Sequence, residues 1–163
     1  MIEATIHSLG VDQDTDQPVV VLRSTVDGRV LPIWIGNAEA TAILLHVQDV
    51  HPPRPMTHDL LLAAIRALGY QVERIEITDL RETTFYANIV VTDGNGTLGI
   101  DARPSDSIAL AVRAGCPIFI SEDVMEQAGR QPMEEVELEP EEEVERFREF
   151  LDHVTPEDFG SRS

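Results

Sequence analysis

The run "IDARPSDSIALAVRAG", Ile100 to Gly115, sets an arginine, a proline, a hydroxyl and a carboxylate on consecutive positions, Arg103 to Asp106. A strand-like segment ends there and a small-residue apolar helix begins. A helix start needs one cap, and this junction carries more polar equipment than a cap requires. Asp106 suits a first helical turn, where the macrodipole favours an acid; Pro104 and Ser105 also fit a helix start. Arg103 has no such role, because a cation gains nothing beside a helix N-terminus. Two arrangements compete. Arg103 pairs with Asp101, two residues back on the same strand face, or Asp101, Arg103 and Asp106 line an opening that takes a metal or a phosphate. Residue types favour the structural pair, since ion-pair networks also generate such clusters.

"HPPRPMTHDL", from His51, raises a similar choice. Thr57 is a cap and Asp59 a first-turn acid. His58 is either a general acid or base, since an imidazole titrates near neutrality, or an ordinary surface histidine. His7, His46, His51 and His153 show no ligand spacing with a second His or Cys, which argues against structural zinc. "DGNGTLG" reads as a hairpin turn, and neither a phosphate-cradling glycine loop nor a Gly-x-Ser-x-Gly elbow is present. Cys116, between Gly115 and Pro117, has no nucleophile setting and reads as packing.

These residues must be positioned by strands and short helices. "EATIHSLGVD" alternates and breaks at a cluster of turn formers. "VVVLRSTV" and "RVLPIWIG" form a hairpin around Asp27-Gly28, and "TTFYANIVVT" with "GTLGIDA" a second around "DGNG". "NAEATAILLHVQDV" is helical, with Asn37 as N-cap; "HDLLLAAIRALG" is a helix stopped by Gly69. "YQVERIEITDL" is a strand, "PIFIS" a short buried strand, and "EDVMEQAG" a short helix. Placing Glu39 on Asp106 sets Leu31 on Leu98, Ile33 on Ile100 and Ala42 on Ala109, as though a β-β-β-α unit were duplicated. In that register Gly36 stands opposite Arg103. The pattern predicts an α+β fold, mainly an antiparallel sheet with helices packed on it. A C-terminal acidic helix follows, with Val144, Phe147, Leu151 and Val154 in one apolar stripe.

The 163 residues carry 12 basic and 30 acidic side chains, a formal net charge of −18. Every base is an arginine. Twelve acids and four arginines lie from Gly129 onward, so the body stays acidic without its tail. That balance argues against an extended phosphate-binding face. One cysteine fits a reducing compartment, and no apolar run approaches the roughly 20 residues of a membrane helix. The expectation is a soluble, cytoplasmic protein.

"LPIWIGNAEATAI", "RPMTHDLL", "FYANIVV" and "IDARPSDSIALAVR", in this order, resemble the bifunctional nuclease domain family. The likeness runs from about Glu3 to Gln127, with a tail of the "FLDHVTPEDF" kind. It implies a nuclease-like domain over 1–130, an acidic tail over 131–163, a homodimer, and cleavage of both DNA and RNA. Positions matching the family's motifs are Glu39, Arg54, Thr57, His58, Asp59, Asp101, Arg103, Ser105 and Asp106. The match does not say which of these does chemistry; by residue type Asp101, Asp106, His58 and Glu39 are the catalytic candidates. Arg103, Arg54 and Ser105 would bind substrate. Asp101 and Asp106 would hold Mg²⁺ or another divalent cation. The alternative is a non-catalytic regulatory or interaction module of the same fold, which the net charge favours.

Overall fold

The structure, a computed structural model, describes residues 1–132; the acidic helix expected in the tail lies outside the described residues. The chain runs β1 (Ile2–Val11), β2 (Pro18–Ser24), β3 (Val30–Trp34), α1 (Asn37–Val47), α2 (Thr57–Ala67), β4 (Gln71–Arg81), β5 (Thr84–Thr92), β6 (Thr97–Ala102), α3 (Pro104–Ala114), β7 (Ile118–Ile120) and α4 (Glu122–Ala128). All seven strands join one sheet in the order β3-β2-β1-β7-β4-β5-β6. β1–β3 and β4–β6 are antiparallel meanders. The short β7 joins them, antiparallel to β1 and parallel to β4. The α+β class with helices on a mainly antiparallel sheet is what the alternating strands led one to expect.

Period-two patterning builds the core. Val20, Leu22, Leu31 and Ile33 from the first meander, and Ile75, Ile77, Ile89 and Val91 from the second, are buried in one apolar cluster. α3 is the central helix, packed against α1, α2, β4 and β5. Its Ile108, Ala109 and Leu110 have no exposed surface, and the alanines let the neighbouring helices approach closely. Gly115 ends α3 at φ 69°, a left-handed conformation that a side chain would disfavour. Arg130 closes the described fold by backbone pairing to Val30 on edge strand β3.

Both expected caps move by one residue. The N-cap of α1 is Gly36 in place of Asn37, and that of α2 is Met56 in place of Thr57. The reason at α2 is Asp59: its Oδ2 accepts from the Met56 backbone N–H at 2.9 Å. That carboxylate serves the N–H of the N-cap residue itself, as the third helical residue of a capping box does, and this sets the helix start one residue earlier. No helix among the described residues is long and apolar enough to cross a membrane.

Candidate functional site

Three helix starts meet. Glu39 is the third residue of α1, His58 the second of α2 and Asp106 the third of α3, while Arg103 is the N-cap of α3. The Arg103 guanidinium ties two of these starts together: Nε donates to Asp106 Oδ2 at 2.8 Å and Nη2 to Glu39 Oε1 at 2.7 Å. The other Asp106 oxygen, Oδ1, lies 2.9 Å from His58 Nε2. One carboxylate thus bonds an arginine and a histidine at once. The pairing of Arg103 with Asp101 that residue types favoured does not occur. β6 ends at Ala102, so Arg103 already belongs to the helix start and no longer shares a strand face with Asp101.

Exposure separates the roles. The Arg103 side chain keeps 64% of its surface, and its Nη1 has no partner among the described residues. His58 is largely buried, with a side chain 10% exposed. A neutral imidazole that donates Nε2–H to a carboxylate leaves Nδ1 as its basic nitrogen, and Nδ1 has no partner among the described residues. Burial raises the Asp106 carboxyl, but hydrogen bonds and charge from Arg103 and His58 outweigh it and hold the group below the ordinary 3.8. The Asp106 and Glu39 hydrogen bonds push Arg103 upward in turn. Asp106 is therefore an anion that fixes the other two side chains.

A second arginine, which sequence reasoning passed over, braces the cluster from behind. Arg113 Nε donates to Asp59 Oδ1 at 2.7 Å, Nη1 to the Ala109 carbonyl at 2.8 Å and Nη2 to the Ala42 carbonyl at 2.9 Å. Its side chain is only 5% exposed. The available signal was a lone charge in the otherwise apolar "SIALAVRA" helix. Gly36 was missed as well. A Cβ there would fall on the Glu39 carboxylate, so the bare backbone gives Glu39 room to reach Arg103. Gly36→Ala, at φ −77° and ψ 161°, costs the backbone nothing. It is expected to keep the melting temperature within a few degrees while displacing the Glu39 carboxylate from Arg103; melting curves and a crystal structure of the variant check this.

The remaining candidates lie apart from the cluster. Asp101 is exposed on β6 opposite Asn88, and its side chain makes no hydrogen bond or ion pair among the described residues. Ser105 is 6% exposed, so it offers a substrate almost no surface. Arg54 is exposed and lines a cleft with Asp59 and Arg113. Burial pushes the Cys116 thiol up, in keeping with packing. A divalent cation needs several converging oxygen donors. No three His, Cys, Asp or Glu side chains among the described residues group closely enough, and both Asp106 oxygens are already engaged. The donor set of Asp101 and Asp106 does not fit a resident Mg²⁺ or other divalent ion.

Acid tests the network. Burial raises Asp59 too, but the Met56 N–H and Arg113 draw its carboxyl below 3.8. Groups depressed in the folded state add stability above the unfolded value, and that stability is lost as pH falls through the folded one. The stability that these two carboxylates contribute is expected to fall away as the pH drops below the ordinary 3.8, and Asp59→Asn or Asp106→Asn is expected to flatten that dependence. Urea midpoints measured against pH read the slope.

Fold and cluster together define an α+β domain whose helix starts present an arginine held by two carboxylates, with a histidine behind one of them. The Bifunctional nuclease domain profile matches residues 20–133, and the chain belongs to that family. It is similar to an uncharacterized protein of Mycobacterium tuberculosis, 47% identical over 98% of both chains. It is also similar to Bifunctional nuclease 2 of Oryza sativa subsp. japonica, 29% identical over 68% of this chain and 35% of the plant protein. Bifunctional nuclease 1 of Arabidopsis thaliana is 26% identical over 64% of this chain and 33% of its own.

Proposed function

We propose that the protein is a nuclease that hydrolyses phosphodiester bonds of DNA and RNA at the Arg103–Asp106–His58 cluster. The observation that carries this is the shared Asp106 carboxylate, which holds an exposed guanidinium and a histidine in one fixed geometry. Arg103 Nη1 takes a phosphate oxygen and offsets the charge that grows there in the transition state. His58 Nδ1 accepts a proton from water, whose oxygen attacks phosphorus. The P–O bond to the leaving sugar breaks, and that oxygen is protonated from solvent. Asp106 keeps His58 in the tautomer this needs, and Glu39 fixes the second edge of Arg103.

In this reading the protein is a cytoplasmic homodimer. It binds nucleic acid weakly and with strong salt dependence, because a chain of net charge −18 repels polyanions. The same net charge favours the second reading, a non-catalytic interaction module. The experiment is cleavage of single-stranded RNA and supercoiled DNA by purified protein in chelator, beside Arg103→Ala. Cleavage lost in the variant supports the nuclease; equal cleavage by both places the activity elsewhere or in a contaminant. No cleavage and no gel shift at low salt leaves the interaction module.

A further inference from the structure

The end of α1, the start of α2 and the 51–55 segment border a cleft of about 340 Å³. We propose that this cleft seats one unpaired nucleotide, so that the protein takes its substrate as a single strand. The inference rests on the nuclease reading and adds the form of nucleic acid that reading does not specify.

Four features carry it. The volume exceeds what a bare phosphate needs and falls within the range of small-ligand sites. Its lining is rich in rings: His46 and His51 stand edge to face with centroids 6.5 Å apart, and Pro52, Pro53 and Pro55 join them. Rings of this kind stack on any base, but only when the base is not already stacked in a duplex. The wall is also stiff. Prolines at 52, 53 and 55 fix their own φ and restrict the backbone of the residues before them, so little ordering entropy is lost on binding.

Charge points the same way. Within the cleft Arg113 is committed to Asp59, and His51 Nε2 sits 2.6 Å from Asp49 Oδ1. Arg54 forms no ion pair among the described residues, and it stands at the cleft in a strongly acidic chain. A lone guanidinium suits one phosphate, not a duplex backbone. Asp59, in the lining, neighbours His58 along α2, which ties the cleft to the proposed chemistry through one helix start.

The test is fluorescence anisotropy with a labelled oligouridylate and with its duplex, in chelator at low salt, on the full chain. Arg54→Ala and the double variant His46→Ala/His51→Ala are each expected to weaken single-strand binding about tenfold or more. Arg66→Ala, which removes an exposed arginine outside the cleft, is expected to leave it unchanged, and thermal melting checks that every variant is folded. Duplex bound as tightly as single strand, cleft variants that bind like the parent, or no binding by the parent overturns the proposal. Cleavage is scored in the same samples. Single strands held through the cleft but never cut sink the nuclease reading alone; cutting that survives with cleft variants binding normally sinks only the cleft.

Discussion

His58→Gln is expected to lower the rate of phosphodiester cleavage by about 10²–10⁴-fold, the range general-base catalysis contributes. Glutamine keeps an N–H for Asp106 but has no basic nitrogen, so geometry and stability are retained while proton abstraction is lost. Arg103→Ala is expected to cost about 10²–10³-fold, as removal of one charge-stabilising donor does. Because Asp106 holds both groups, the double variant should fall well short of the product of the two losses. The measurement is single-turnover cleavage of labelled RNA with melting curves alongside. A His58→Gln protein that cuts at the parent rate removes the histidine from the mechanism.

Arg113→Met is expected to give the largest loss of stability, about 3 kcal/mol. The side chain is almost fully enclosed, and its three donors each go to a different helix: Asp59 on α2, the Ala109 carbonyl on α3 and the Ala42 carbonyl on α1. Methionine fills much of the volume but leaves the Asp59 carboxylate without its cation. Asp59 is partly exposed, so water softens that term; the two carbonyls lose a charged donor as well. Lysine is no remedy, since one ammonium cannot span three acceptors set around a planar fork. For a domain of this size, 3 kcal/mol corresponds to a fall of roughly 6–12 °C in melting temperature. A variant that melts within about 2 °C of the parent shows the brace to be dispensable.

The two arginines also mark where sequence reading stops. The strand alternation, the two hairpins and the starts of α1, α2 and α3 are legible because each is a pattern within ten or so residues. The cluster's members are legible too, as acids in first turns and an arginine with no business at a helix start. Partners are another matter. Asp101 looked like the mate of Arg103 because face-sharing at two-residue spacing holds only inside a strand, and β6 stops one residue short. Gly36 and Arg113 gave weaker signals still, since one acts by lacking a side chain and the other from inside a helix packed on two others.

By itself, then, the sequence determined the α+β class, the element order and the charged junction at Arg103. Tertiary structure alone decided who meets whom: His58 with Asp106 across 48 residues, Asp59 with Arg113 across 54, Glu39 with Arg103 across 64 and the Ala42 carbonyl with Arg113 across 71. The physical reason is range. Propensity and periodicity act on neighbours along the chain, whereas these pairings follow from how α1 and α2 pack against α3, and burial of that central helix sets the packing.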